Sequence, residues 1–169
     1  MTVIVVMGVA GSGKTTIGTA LAAELGVDYA EADSFHPAAN IAKMSAGVPL
    51  TDEDRGPWLE SIARWIGEHQ ETGGVVSSSA LKRRYRDILR TGGDLWLLHL
   101  DGPKQVIADR MRHRTGHFMP VSLLDSQLAD LEPREPDEQG WTADLTDEPA
   151  DIIRRALKEY AEAHPSGRG

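Results

Sequence analysis

The stretch Gly8-Val9-Ala10-Gly11-Ser12-Gly13-Lys14-Thr15 decides how the rest of the chain is read. Ahead of it lies the apolar run Val3-Ile4-Val5-Val6-Met7. Behind it, from Thr16 to Leu25, Ile17, Ala20, Leu21 and Leu25 recur at helical spacing. The run reads as a buried strand and the recurrence as a helix. Between them sits Gly-x4-Gly-Lys-[Ser/Thr], the Walker A phosphate loop. Its glycines let the backbone turn tightly and aim successive N–H groups at a phosphate. The helix start, Thr16 included, adds further N–H groups and the positive end of its dipole. Lys14 can reach the outer phosphates, and the Thr15 hydroxyl is a candidate ligand for Mg2+. A merely flexible Gly/Ser turn would not require this strand and helix around it. Residues 8–16 are therefore expected to bind a nucleoside triphosphate.

The chain has 169 residues, no cysteine, and 26 acidic against 18 basic side chains. That length suits one domain with a single three-layer core. A net charge of −8 argues against a general nucleic-acid binder, which needs a basic surface to neutralise phosphates. No apolar stretch approaches the roughly 20 residues that span a bilayer. The opening run is too short and lacks the basic flank of an export signal. Without cysteine there are neither disulfides nor thiolate metal sites, and the cytoplasm is the expected location.

Strands and helices alternate along the rest of the chain. Gly26 is placed to stop the first helix, and Val27 to Ala32 reads as a strand ending at Asp33. His36-Pro37 opens a small helix closed by Gly47. Thr51-Asp52-Glu53-Asp54 resembles a capping box. Pro57 is expected to begin a helix with Trp58, Leu59, Ile62, Trp65 and Ile66 on one face. Further strands are expected at 75–78, 95–100 and 141–145. Further helices are expected at 80–90, 103–113, 121–131 and 149–163, with a polar loop at 132–140. This alternation predicts a three-layer α/β fold, a five-stranded parallel sheet covered by helices on both faces. Ligands then sit beyond the carboxyl ends of the strands.

Four places at those ends carry unusual polar residues. Asp33 could accept a proton from a substrate hydroxyl or hold Mg2+ through water, or it could simply cap the next helix. Lys43 and Arg55 could clamp an anionic group, Arg55 through its planar fork, or be solvated charges. Ser78 and Ser79 could meet a polar ligand or cap a helix, while Lys82 and Arg86 are four apart and share a helix face. Last come Arg110, Arg112, His113, Arg114 and His117 in an acidic protein. Such cations neutralise charge on a migrating phosphoryl group, and the alternative is a solvated basic face.

Taken in order, these segments resemble the gluconokinases, small P-loop carbohydrate kinases similar in fold to shikimate and adenylate kinases. The matching stretches are Gly8–Thr15, Asp33 with His36-Pro37, Asn40–Met44, Pro49–Arg55 with Pro57-Trp58, Ser79-Ala80-Leu81-Lys82 with Tyr85-Arg86-Asp87, and Gly116-His117-Phe118. Leu124, Ser126-Gln127 and Leu131-Glu132-Pro133 continue the match, which runs from about residue 3 to 150. The resemblance implies ATP-dependent phosphorylation of D-gluconate at its 6-hydroxyl, with Mg2+. It also implies a lid at about 110–120 and a substrate-closing segment at about 36–70, within one domain at 1–163 followed by a tail at 164–169. By position, Lys14, Asp33, Arg110 and Arg114 become the catalytic candidates. His36, Lys43, Arg55, Ser79, Lys82, Arg86, His117 and Gln127 join Asp33 as candidate gluconate contacts. A homodimer is compatible with the family.

Two positions depart from the family pattern. Glu31-Ala32-Asp33 stands where Asp-Gly-Asp is common, which leaves open whether Glu31 helps hold Mg2+ through water. Ser78 stands where a cysteine is usual, a position that asks only for a small side chain. Two other readings fare worse. A GTP-driven switch needs Asn-Lys-x-Asp, and the sole asparagine, Asn40, is followed by Ile41. Shikimate kinases carry a glycine triplet where this chain has Ser77-Ser78-Ser79.

Overall fold

The computed structural model describes residues 2–113 and 121–164. Its five strands are β1 (Val3–Met7), β2 (Asp28–Glu31), β3 (Gly74–Ser77), β4 (Leu95–Asp101) and β5 (Gly140–Asp144). They form one parallel sheet in the order β2-β3-β1-β4-β5. The helices are α1 (Lys14–Leu25), α2 (Ala38–Ser45), α3 (Asp52–Glu68), α4 (Arg83–Arg90), α5 (Lys104–Arg112), α6 (Val121–Asp130) and α7 (Pro149–Ala163). The expected parallel three-layer architecture is the one found.

Strand β1 lies in the middle, and every residue of it is buried. Alternate side chains serve opposite layers, as the two-residue period of a strand requires. Ile4 and Val6 pack with Ile17 and Leu21 of α1, Ile107 of α5 and Ile152 of α7. Val3, Val5 and Met7 pack with Trp58, Leu59 and Ile62 of α3 and Leu89 of α4. Both faces are covered, so the strand reads as an unbroken apolar run. Its carboxyl end, flanked by β3 and β4, delivers the chain into the glycine loop.

Several boundaries differ from the expected ones for identifiable reasons. Helix α3 starts at Asp52 rather than Pro57. Thr51 Oγ1 accepts the Asp54 N–H (3.1 Å), and the Asp54 carboxylate accepts the Thr51 N–H (2.9 Å). This capping box nucleates the helix, and Pro57 is absorbed inside it. Helix α4 starts at Arg83 rather than at residue 80. Ala80 takes a left-handed φ of 44° and Lys82 is extended. Strand β2 ends at Glu31, and residues 32–35 form a single 3-10 turn. His164, read with the tail, is held: its Nδ1 lies 2.8 Å from Tyr160 O.

Behind the sheet's open end, α3 and the turn after α4 touch directly. A Cβ on Gly92 would lie 1.9 Å from Ala63 O, so only glycine allows this approach.

Candidate active site

The phosphate loop takes the shape its glycines prescribe. Gly11 and Gly13 have φ of 78° and 96°, values that a side chain disfavours. Ile17 N–H makes the first helical bond, to Gly13 O (3.0 Å), so the amides of Thr15 and Thr16 lie ahead of it at the open end of α1. Lys14 Nζ folds back onto Gly8 O (2.9 Å) and Val9 O (3.0 Å). The loop is braced from outside: Gly8 N–H donates to Ser79 O (3.3 Å), and Ala10 N–H to Gln127 Oε1 (2.7 Å). Gln127, expected on the substrate side, thus rests on the loop's backbone.

Thr15 belongs to a short polar chain. Its hydroxyl donates to Glu31 Oε1 (2.7 Å), which lies 2.7 Å from Tyr29 OH as well. Tyr29 OH is 2.7 Å from Ser77 Oγ, and Ser77 Oγ donates to Lys14 O (3.1 Å). Gly18 makes room for this: a Cβ there would meet Tyr29 Cε1 at 2.6 Å and Ser77 Oγ at 2.7 Å. Burial first, then the Glu31 carboxylate, push the Tyr29 phenol up to about 12. Among the described residues no three His, Cys, Asp or Glu side chains gather as a metal cage. Oxygen donors at Thr15 and Glu31, beside a phosphate loop, suit Mg2+, which keeps waters and phosphate oxygens in its shell. The residues fit the ion. The longer Glu31 side chain reaches Thr15 itself.

Asp33 stands exposed two residues beyond Glu31, the last position of β2, within the 3-10 turn. Its carboxylate hydrogen-bonds to none of the described residues, and neither the 3-10 turn nor α2 has a side-chain cap. The helix-cap alternative is therefore not what the structure contains. His36 stacks on Trp58 with centroids 4.2 Å apart and planes 12° apart. Trp58 in turn donates its indole N–H to Ala32 O (2.7 Å). Burial, aided by Arg55 and opposed by Asp33, lowers the His36 pKa below 6.5 and favours the neutral ring. Buried Asn40 ties this region together, with Nδ2 2.8 Å from Asp54 O and 3.3 Å from His36 Nδ1.

Lys43 and Arg55 are both engaged with protein. Lys43 Nζ meets both oxygens of Asp54 (2.9 and 2.8 Å). That bond, with the Thr51 N–H, holds the Asp54 carboxyl down to about 2. Arg55 Nη1 donates to Leu50 O (3.0 Å) and to Tyr85 OH (3.3 Å). Lys82 Nζ lies 5.7 Å from the centre of the Tyr85 ring. Ser79 is half-buried beside the loop.

Arg86 requires a correction. The family resemblance made it, with Lys82, a candidate gluconate contact, but the structure buries it completely. Its Nε and Nη2 grip Glu138 at 2.8 and 2.9 Å, and Nη1 donates to Ala80 O (2.9 Å) and Leu81 O (3.3 Å). Arg90 also pairs with Glu138, and Arg83 binds Asp137 through both terminal nitrogens (2.8 and 2.9 Å). Arg86 is a structural fastener between α4 and the 131–139 loop.

Arg110 Nη2 donates to Leu145 O (2.6 Å). It borders a cleft of about 230 Å³ between Gly11, Gly13, Thr16, Leu145, Asp147 and Pro149. The cleft opens on the first turn of α1, where a nucleotide base and ribose would follow from the phosphates. One wall of it, Leu145 to Pro149, joins β5 to α7. Arg114 and His117, and with them most of the expected lid at 110–120, lie outside the described residues.

Comparison with known proteins agrees with this geometry. A shikimate kinase family profile matches residues 10–136. A gluconokinase of Gluconobacter oxydans is 52% identical over 139 residues, covering 80% of this chain and 78% of the relative. A thermosensitive gluconokinase of Escherichia coli is 51% identical over 139 residues, covering 80% and 74%. Among solved structures, a gluconokinase from Sinorhizobium meliloti superposes with a TM-score of 0.88 at 46% identity, covering 98% of this chain and 94% of that one. With half its residues shared across most of its length, and with the phosphate loop and strand-end polar groups in place, the chain belongs to the gluconokinase family of shikimate kinase-like P-loop kinases.

Proposed function

We propose that the protein is a gluconokinase, transferring the γ-phosphoryl group of ATP to the 6-hydroxyl of D-gluconate to give 6-phosphogluconate and ADP. The observation that carries this is an exposed carboxylate, Asp33, just past the carboxyl end of β2 and hydrogen-bonded to none of the described residues, in a chain half-identical to gluconokinases. Arg55 and Lys82 flank the same strand ends and suit a substrate with one carboxylate and several hydroxyls.

The chain's own groups divide the work. Backbone N–H groups of the loop other than those of Gly8 and Ala10, with those of the helix start, hold the phosphates, and Lys14 turns from the Gly8 and Val9 carbonyls toward the outer phosphates. Mg2+, when bound through Thr15 with Glu31 behind it, supplies charge neutralisation between the phosphates. Asp33 receives the hydroxyl's hydrogen bond, aims its oxygen in line with phosphorus, and takes the proton as the new O–P bond forms and the bond to ADP breaks. Arg110, together with Arg114, balances charge on the migrating group. Neutral His36 and the cations Lys43, Arg55 and Lys82 bind the sugar acid.

No helix among the described residues is long and apolar enough to cross a membrane. A cytoplasmic protein with a small-molecule partner fits this reading, since ATP is at hand there. The test is ADP release measured across gluconate, shikimate, glucose and nucleoside monophosphates. Gluconate alone should support turnover. Turnover on shikimate or a nucleotide in its place overturns the proposal.

A further inference from the structure

Tyr85 stands at a junction that the reaction scheme leaves without a role. It is almost fully buried, yet three cations crowd its ring: Arg55 and Arg84 at 5.6 Å and Lys82 at 5.7 Å from the centroid. Its hydroxyl lies 2.7 Å from Asp52 Oδ1 and 3.3 Å from Arg55 Nη1. A phenol has one proton, and a carboxylate and a guanidinium demand opposite things of it. The proton goes to Asp52, so the oxygen can only accept from Arg55. The contact is thus a one-way relay, Arg55 to Tyr85 to Asp52.

The relay leaves Arg55 in a defined state. Both hydrogens of its Nη1 are committed, one to Leu50 O and one to Tyr85 OH. Its Nη2 and Nε groups make no hydrogen bond to the described residues, and neither does Lys82 Nζ. Two cations from different elements, α3 and the segment before α4, are therefore held against one ring with donors left open. Asp52 is the hazard in this arrangement, because its Oδ1 already makes a loose ion pair with Arg55 Nη1 at 3.9 Å. Tyr85 and Arg84 keep that carboxylate occupied. The hydrogen bond from Tyr85, with Arg84 and Lys82 beside it, also holds the Asp52 carboxyl below its ordinary range, so it accepts at neutral pH.

We infer that Tyr85 is a positioning residue for sugar-acid recognition: its hydroxyl keeps the loose Asp52–Arg55 pair from tightening, and its ring seats Arg55 and Lys82 so that their open donors meet the substrate's carboxylate. This deepens the gluconokinase reading and rests on it.

The test is Tyr85→Phe, which keeps the ring and deletes the relay. Asp52 is then free to tighten its loose pair with Arg55 into a direct hydrogen bond. The KM for gluconate and the calorimetric gluconate Kd should each rise about tenfold, the worth of one hydrogen bond to a charged group. Turnover at saturation, the KM for ATP and the Tm should change little. The second variant, Tyr85→Phe with Asp52→Asn, removes the competing carboxylate and should recover most of the lost affinity. A merely structural role predicts the reverse, a further loss with the second change. Unchanged gluconate affinity in Tyr85→Phe, an equal rise in KM for ATP, or no recovery in the double variant overturns the inference while leaving the kinase reading intact. Wild-type protein that binds gluconate without phosphorylating it overturns the kinase reading, and the calorimetric comparison still decides the role of Tyr85. Wild-type protein that does not bind gluconate overturns both.

Discussion

Replacing Glu138 by Gln tests whether Arg86 is a fastener or a substrate ligand. The Glu138 carboxylate is fully buried and accepts from Arg86 Nε (2.8 Å), Arg86 Nη2 (2.9 Å), Arg90 and the Glu135 N–H (3.1 Å). Glutamine keeps the volume but turns an NH2 group toward the guanidinium and leaves Arg86 as a buried unpaired charge. Breaking such a pair costs about 3–5 kcal/mol. Arg86 keeps its bonds to Ala80 O and Leu81 O, and half-exposed Arg90 can turn to water, so the lower end applies, about 3 kcal/mol. For a chain of this size, roughly 2–4 °C per kcal/mol makes that a fall in Tm of about 6–12 °C. Native stabilities of about 5–15 kcal/mol leave the variant folded at room temperature. Thermal unfolding followed by circular dichroism gives the Tm, and steady-state kinetics on the same sample at 20 °C gives both KM values. We expect the Tm to fall by the stated amount, with both KM values within about twofold of wild type. A Tm loss under about 2 °C, or a raised gluconate KM at intact Tm, would refute the structural assignment of Arg86.

The other predictions address the chemistry and the pH response. Lys14→Ala should abolish turnover in a folded protein, because backbone amides cannot supply its charge at the outer phosphates; near-normal rates would remove the foundation of the mechanism. Asp33→Asn should lower kcat on the order of a hundredfold with ATP affinity by calorimetry unchanged, and a normal kcat would place the proton acceptor elsewhere. Ser78→Cys should raise the Tm by about 2–4 °C at unaltered activity, since the Ser78 hydroxyl is buried with no partner among the described residues and a thiol loses less there; a lower Tm would show the hydroxyl is satisfied. Stability should fall with acid in two stages. His36 and His99 have pKa values lowered below 6.5, chiefly by burial, so the folded state binds fewer protons and loses stability as pH falls below 6.5. Burial alone would raise the Glu138 carboxyl, but bonds from Arg86 and Arg90 hold it to about 2 against an ordinary 4.5. Its contribution is complete above pH 4.5 and lost toward pH 2, and a Tm flat from pH 7 to 3 would contradict both assignments.

What could be read from the sequence followed from local rules. The Walker loop carries strand, turn and helix within one contiguous stretch, and Gly26 stops α1 in a left-handed conformation as expected. Asp33 and Arg55 were recognisable by their place after strands and in matched segments. Arg86 was not, because its burial depends on Glu138, 52 residues further along the chain. The loop that supplies Glu138 is polar and reads as solvated, and only the fold turns it inward over α4. Likewise, Gln127 meets Ala10 across 117 residues. The start of α4 was misplaced because Ala80 adopts a left-handed φ that its residue type does not announce. The Tyr85 relay joins residues from two elements by side chains alone, which helical spacing does not reveal.

The bare contact of Gly92 on Ala63 turns α3 into a lever with a fixed fulcrum. A methyl group at 92 would start 1.9 Å from Ala63 O and would have to drive the helix back by about 1 Å to clear the steric limit. Arg55 lies eight residues up the same helix, about 12 Å away at 1.5 Å per residue, on the arm proposed to meet the sugar acid. A stiff rod carries the displacement forward. Misplacement of about 1 Å can cost on the order of a hundredfold in rate, so Gly92→Ala would detune acid recognition from the back of the molecule, touching neither substrate.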